Sequence, residues 1–265
     1  MSGLQLPGGA GPWTGGEVQG ADGASVFCVL APNASPMTLD GTNTWIIPAA
    51  DGALVIDPGP DDPLHHRAVE QQLAALGVQA RGIVLTHAHP DHAAGAGSCA
   101  NAWDVPVYAF PALPVGAVVQ VPSAGFNVDI LATPGHTADS VCLHLPASRL
   151  LLTGDTVLGR GTSVVAWPDG DLGSYLDTLG RLADRAEQID YLLPGHGPVL
   201  AQPADVLAAY RTHRMRRLAE VERALADGAQ TPTEVVATVY ADLPQELWPA
   251  AEQSVRAQLA YLGRN

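Results

Sequence analysis

A chain of 265 residues with 47% apolar content fits one large domain, or one domain with an appendage, and has ample material for a core. A formal charge of −14, with every basic residue an Arg, argues against broad nonspecific nucleic-acid binding while leaving room for a local basic groove. Three widely spaced cysteines, Cys28, Cys99 and Cys142, exclude a disulfide framework and a Cys-x-x-Cys zinc knuckle.

Residues 1–24, rich in Gly and Pro at the start, read as an irregular segment. They carry neither a basic start nor an apolar signal-peptide core, and no apolar run is long enough to span a membrane, so a reducing cytoplasm is the expected compartment and no membrane is an expected partner. Residues 25–31 read as a strand. Residues 43–47 and 53–56 read as a hairpin, with Asp51-Gly52 as the turn signal. Asp57 closes that second strand, either as a turn residue or as a partner that orients a metal-binding His. Residues 63–76 read as an amphipathic helix with a Gly stop, and His65 and His66 in its first turn read as solvated surface.

The run Gly82-Ile83-Val84-Leu85 reads as a buried strand. It leads into Thr86-His87-Ala88-His89-Pro90-Asp91-His92, and a helix is expected from Asp91 to about Ala100. Three imidazoles and a carboxylate within six residues, at a strand-to-helix turn, are the ligand types that zinc and similar ions accept. Residues 105–109 read as a strand and 111–125 as a loop that borders the site. A strand over 127–133 leads to Pro134-Gly135-His136-Thr137. A hairpin over 140–145 and 149–153 ends in Gly154-Asp155-Thr156, with His144 inside it as a packed structural residue. Residues 171–189 read as a helix. A strand over 191–193 leads to Pro194-Gly195-His196-Gly197-Pro198. Helices are expected over 203–227, 233–240 and 249–262.

His87, His89, Asp91, His92, His136, Asp155 and His196 thus all follow apolar strands and sit in Gly/Pro-punctuated turns. Seven ligands exceed what one tetrahedral zinc uses. Two zinc ions, or other divalent metals, would absorb them: His87, His89 and His136 on one, Asp91, His92 and His196 on the other, with Asp155 bridging. Such a pair supplies a bridging hydroxide for hydrolysis at neutral pH, with Asp91 next to it to orient it or carry a proton. Asp91 and Asp155 are therefore the candidate catalytic carboxylates. A closed structural zinc site is the weaker alternative, because such sites favour Cys-rich sets.

The motifs His87-x-His89-x-Asp91-His92, Thr133 to Thr137, Thr153-Gly154-Asp155 and Pro194 to Pro198 resemble the metallo-β-lactamase superfamily in order and spacing. The resemblance spans about residues 25–200 and implies an α/β fold, the four-layer αββα sandwich with metals at one edge. Leu158 to Thr162 and Tyr210-x-x-His213-Arg214-x-x-Arg217 resemble the lactamase-like-protein-2 group, which has a winged-helix-like C-terminal domain and includes a single-strand-specific endoribonuclease. The expected division is therefore 1–24 irregular, 25–203 catalytic and 204–265 helical and winged-helix-like. True β-lactamases place a Cys or Ser near the position of Asp155, so the resemblance makes β-lactam hydrolysis a minor reading.

Arg214 falls in the apolar stripe of Leu207, Tyr210, Leu218, Val221 and Leu225. A buried Arg needs a partner. The favoured reading is an interdomain salt bridge to an Asp or Glu, and the functional one is a bond to a substrate anion. Three functions follow in order: cleavage of phosphodiesters in single-stranded RNA, hydrolysis of a thioester, lactone or other carbonyl substrate such as a small ester, and a nucleic-acid-binding module with a vestigial metal site. A homodimer is compatible with the sequence.

Overall fold

The computed structural model describes residues 11–114, 116–120 and 127–264. Two six-stranded sheets face each other. The first has the order β1-β2-β3-β4-β5-β6, formed by Gly16–Gln19, Ser25–Leu30, Asn43–Ala49, Gly52–Ile56, Ala80–Val84 and Val107–Tyr108. The second has the order β12-β11-β10-β9-β8-β7, formed in chain order by Val118–Gln120 (β7), Asp129–Ala132, Val141–Leu145, Leu150–Gly154, Tyr191–Pro194 and Leu200–Ala201 (β12). β4, β5 and β6 run parallel, as do β10 and β11, and the remaining pairs are antiparallel.

Strand alternation explains the layers. In β3, Trp45 and Ile47 point between the sheets while Ile46 points outward; in β10, Leu150 and Leu152 point in and Leu151 points out. The inward set fills the space between sheets together with Leu54, Ile56, Ile130 and Leu143. Ile46, Val55 and Ile83 meet α1 (Pro63–Ala75) and α3 (Ala96–Trp103) through Val69, Leu73 and Cys99. Leu151 and Leu192 meet α4 (Leu172–Ala183) and α5 (Pro203–Ala226) through Tyr175, Leu179, Leu207 and Tyr210. Leu150, Leu151 and Leu152 are completely buried. Each contributes about 1.5–3 kcal/mol by that burial.

The C-terminal helices form a second, smaller core. Val221 and Ala224 of α5 meet Val235 and Val236 of α6 (Pro232–Val239) and Val255 of α7 (Trp248–Tyr261). α5 therefore belongs to both units, with its first half on the sandwich and its second half in the appendage. Thr231 and Glu234 form a capping box that starts α6, with Pro232 at its first turn.

Several expectations change. The irregular segment contains a strand: Gly16–Gln19 pairs antiparallel with β2. The expected loop over 111–125 contains Val118–Gln120, paired with β8, while 115 and 121–125 lie outside the described residues. The helix expected from Asp91 is two helices, α2 (Pro90–Ala93) and α3, broken at Gly95. There the chain touches Gly59 and Pro60 so closely that a Cβ would stand 3.0–3.1 Å from their carbonyl oxygens. The helix expected over 171–189 is α4 followed by a 3₁₀ turn at Ala186–Gln188. Among the described residues, no helix is long and apolar enough to cross a membrane.

Candidate metal centre

The C-terminal ends of β4, β5, β8, β10 and β11 lie along one edge of the sandwich. From them come, in turn, Asp57, the His87 to His92 turn, His136, Asp155 and His196. Rigid strands thus deliver side chains from over a hundred positions to one place. His89 Nδ1 lies 3.1 Å from His87 Nε2 and 3.0 Å from His136 Nε2. His92 Nε2 lies 3.1 Å from His196 Nε2, and Asp91 Oδ2 lies 3.1 Å from His196 Nε2. Asp155 stands between the two groups, its Oδ2 3.7 Å from His136 Nε2 and its Oδ1 3.4 and 3.5 Å from His92 and His196 Nε2. All seven expected residues are therefore together, and three overlapping triads hold their ligand atoms within 4.8 Å of one another: His87/His89/His136, Asp91/His92/His196 and His87/His92/Asp155.

The outer ring nitrogens explain why these imidazoles point inward. His136 Nδ1 donates to the Val164 carbonyl at 2.5 Å and His196 Nδ1 to the Gly41 carbonyl at 3.1 Å. His92 Nδ1 donates to Asp57 Oδ2 at 2.9 Å. His87 Nδ1 donates to Thr86 Oγ1 at 3.1 Å, and that hydroxyl donates onward to Asp57 Oδ2 at 2.7 Å. Asp57 also accepts from the Thr86 backbone N–H at 2.8 Å. One carboxylate thus orients two imidazoles, leaving each Nε2 facing the centre, as metal binding requires.

The donor set fits a metal. Nitrogens held by one zinc at about 2.0–2.1 Å stand about 3.3 Å apart, close to the 3.0–3.1 Å spacings here. Asp155 Oδ1 is buried without a hydrogen-bond partner, an oxygen that a cation would satisfy. Burial opposes the charge on Asp155, but the His196 and His92 imidazoles outweigh it and hold its carboxyl well below the usual range. Burial likewise opposes charge on Asp91, and His196 and His92 hold its carboxyl down. Burial, reinforced by His92, keeps His87 well below the ordinary imidazole value, and burial lowers His136. His92 goes the other way: burial resists its charge, yet Asp155 and Asp57 raise it well above.

The centre opens into a cavity of about 470 Å³. Its near wall is His89, Asp91, His136, Asp155 and His196. Its rim is the loop from Pro36 to Leu39, and its far wall is built from α5, α7 and Tyr240. Tyr210, on α5, pins the Leu158 loop by accepting from the Leu158 N–H at 2.8 Å. Arg214 is in the far wall, 3% exposed. The expected salt bridge is absent: among the described residues no carboxylate pairs with it. It donates instead to the Ser163 carbonyl and lies 5.0 Å from the centroid of the Tyr175 ring.

His65 is not solvated. It is 1% exposed, because α1 lays the face of His65, Val69 and Leu73 on the first sheet. Its Nε2 donates at 2.7 Å to Thr44 Oγ1, which donates at 2.7 Å to the Asp57 carbonyl. Burial, with His66 adding to it, lowers its pKa to about 4. The spacing of four between His65, Val69 and Leu73 is the available signal. His66, half-buried, meets the Pro60 carbonyl. His144 is packed in β9, 3% exposed, as expected. Asn43, read only as a strand residue, clamps the His196 turn: its Nδ2 donates to the carbonyls of Pro194 at 2.9 Å and Gly197 at 2.8 Å. No local pattern marks that role, since its partners lie some 150 positions away.

Residues 37–115 and 124–196 match the metallo-beta-lactamase superfamily, and 231–264 match the beta-lactamase associated winged helix domain. The chain belongs to the metallo-beta-lactamase superfamily and, with its His/Asp cluster, is a metal-dependent hydrolase of that superfamily. A beta-lactamase-like protein 2 homolog of Drosophila melanogaster is 32% identical over 270 residues, covering 90% of this chain and 88% of that protein. An atrochrysone carboxyl ACP thioesterase of Aspergillus chevalieri is 32% identical over 244 residues, covering 84% of this chain and 75% of its own. A crystal structure of a metallo-beta-lactamase family protein from Thermus thermophilus superposes with a TM-score of 0.76 at 22% identity, covering 90% of this chain and 93% of that one.

Proposed function

We propose that the chain is a dinuclear zinc hydrolase that cleaves a thioester or other small ester inside the cavity. The observation that carries this reading is the shape and placement of the cavity. About 470 Å³ lies against five of the seven cluster residues, with Met37, Leu39, Leu158 and Leu247 among its apolar lining. That is a small-molecule volume with a few convergent polar groups. The acidic chain disfavours a long polyanion, and a relative of 32% identity is named as a thioesterase.

His87, His89 and His136 would hold one ion and Asp91, His92 and His196 the other, with Asp155 offering one oxygen to each. Such a pair, when bound, supplies hydroxide at neutral pH and takes up developing negative charge. Asp57, through His92 and Thr86, keeps the ligand nitrogens aimed toward the centre. Asp91 lines the cavity and its side chain is 31% exposed. It is placed to hold the nucleophile's proton at Oδ1, the oxygen not turned to His196, and return it to the leaving group. The C-terminal helices exclude water from the far side.

Single-stranded RNA is the second reading. It is favoured by the arginines of the far wall, which suit phosphates. The test is a panel of generic thioester, lactone, cephalosporin and single-stranded RNA, with wild type beside Asp91→Ala and zinc, iron or manganese supplied. Thioester or ester turnover that falls at least about 100-fold in Asp91→Ala supports the reading. RNA cleavage alone supports the second reading. Activity indifferent to Asp91→Ala overturns the mechanism in both.

A further inference from the structure

The far wall of the cavity carries positive charge that the chain itself leaves unanswered. Arg160, at the rim, is paired with Asp40. Arg217 is half answered: its Nη1 donates to Glu220 at 2.7 Å and to the Val239 carbonyl at 3.0 Å, and its guanidinium lies 4.7 Å from the centroid of the Tyr240 ring. Arg214, the most buried of the three, has carbonyl and ring contacts but no carboxylate within ion-pair distance among the described residues. Unsatisfied donors and acceptors cluster around it. Arg214 Nε, Arg217 Nε and His213 Nδ1 are buried without hydrogen-bond partners, and all three residues line the cavity.

A buried cation without a counterion is costly, and so is each buried polar group without a bond. Folded chains keep such features where a ligand completes them. The near wall does not supply the missing charge. Two divalent ions among Asp91 and Asp155 would leave that side positive as well. The cavity therefore has cationic character at both ends and an apolar rim between them.

We propose that Arg214, with Arg217 and His213, forms an anion subsite in the C-terminal wall that binds a carboxylate or phosphate group of the substrate while the scissile bond lies at the metal cluster. This rests on the hydrolase reading above and narrows its substrate to molecules with an oxyanion at one end and a cleavable ester or thioester at the other. Arg214 supplies the full charge and the planar fork that fits either oxyanion. His213 supplies a neutral N–H, since burial, with Arg214 and Arg217 beside it, lowers its pKa to about 4. The appendage is then part of substrate selection.

The test is binding of phenyl phosphate and of benzoate to the zinc-loaded, full-length protein by titration calorimetry. Wild type is compared with Arg214→Gln, Arg214→Lys and Arg217→Gln. Binding of either probe that weakens at least about tenfold in Arg214→Gln and less in Arg214→Lys supports the subsite. The tighter of the two probes identifies phosphate or carboxylate as the group held. No binding of either probe, or binding unchanged in Arg214→Gln and Arg217→Gln, overturns it, the latter because the anion would then sit on the metals. Should Arg214→Gln fail to fold by circular dichroism, Arg214→Lys and Arg217→Gln decide alone. Flat isotherms beside turnover of a neutral thioester reject the subsite and leave the hydrolase standing. Tight anion binding without any turnover does the reverse.

Discussion

The two walls of the cavity are built to different standards. On the sandwich side, the outer nitrogens of His87, His92, His136 and His196 are each bonded, two of them through the single carboxylate of Asp57. On the helical side, Arg214, Arg217 and His213 keep buried atoms without partners. A site that must hold metals at fixed distances needs ligands locked from behind. A site that meets a substrate can leave its polar groups open until the substrate arrives. On the proposed reading, the difference separates chemistry, fixed by strands, from selection, carried by helices.

Substitutions can break or sharpen this contrast. The largest effect is expected at Asp155, whose two oxygens face the two halves of the cluster. Asp155→Ala should lower kcat/KM at least about 10³-fold, from loss of several kcal/mol of metal-assisted stabilisation, and should lower metal content by elemental analysis. Retained activity would mean that the halves work independently. Next comes Asn43→Ala, which strands the buried carbonyl of Gly197 and leaves that of Pro194 with Trp45 Nε1 alone. The expected cost is about 3 kcal/mol in denaturant unfolding, with weaker metal retention as the His196 turn loosens. Asp57→Asn should weaken zinc affinity about 10–100-fold in chelator competition, with little change in far-wall anion binding. Equal loss at both walls would erase the contrast.

The smallest effect concerns His65, behind the metal wall. Its folded pKa of about 4 lies below the ordinary value of 6.5. Between these values the unfolded chain binds a proton that the folded ring refuses. The contribution of His65 is therefore complete above about pH 6.5 and is lost as pH falls toward 4, by about 2 kcal/mol at pH 5. His65→Gln has no such group, so the stability gap between it and wild type should narrow over that window. A constant gap would place the ring's titration elsewhere.

The candidate metal residues are legible in the sequence because each sits where an apolar strand meets a Gly/Pro turn, a pattern confined to a few neighbouring positions. Asp57 is legible in part, since a carboxylate at a strand end admits two roles and only the fold brings Thr86 and His92 to it. Gly16–Gln19 is not, because that exposed edge strand owes its form to pairing with β2. Helical period places Arg214 correctly but not its partner, because Ser163 lies 51 positions away and presents a backbone carbonyl. His213 beside it follows Tyr210 by three positions, so the same period carries it to the buried face. Short-range patterns reveal what a turn or a helix face demands. Long-range bonds such as those of Asn43 depend on which strands become neighbours.

Counting the ions bound by the full-length protein tests the account most directly. After loading with zinc and removal of excess, elemental analysis should find about two ions per chain in wild type, with hydrolytic activity rising as the second ion binds. One ion per chain with full activity would contradict the account.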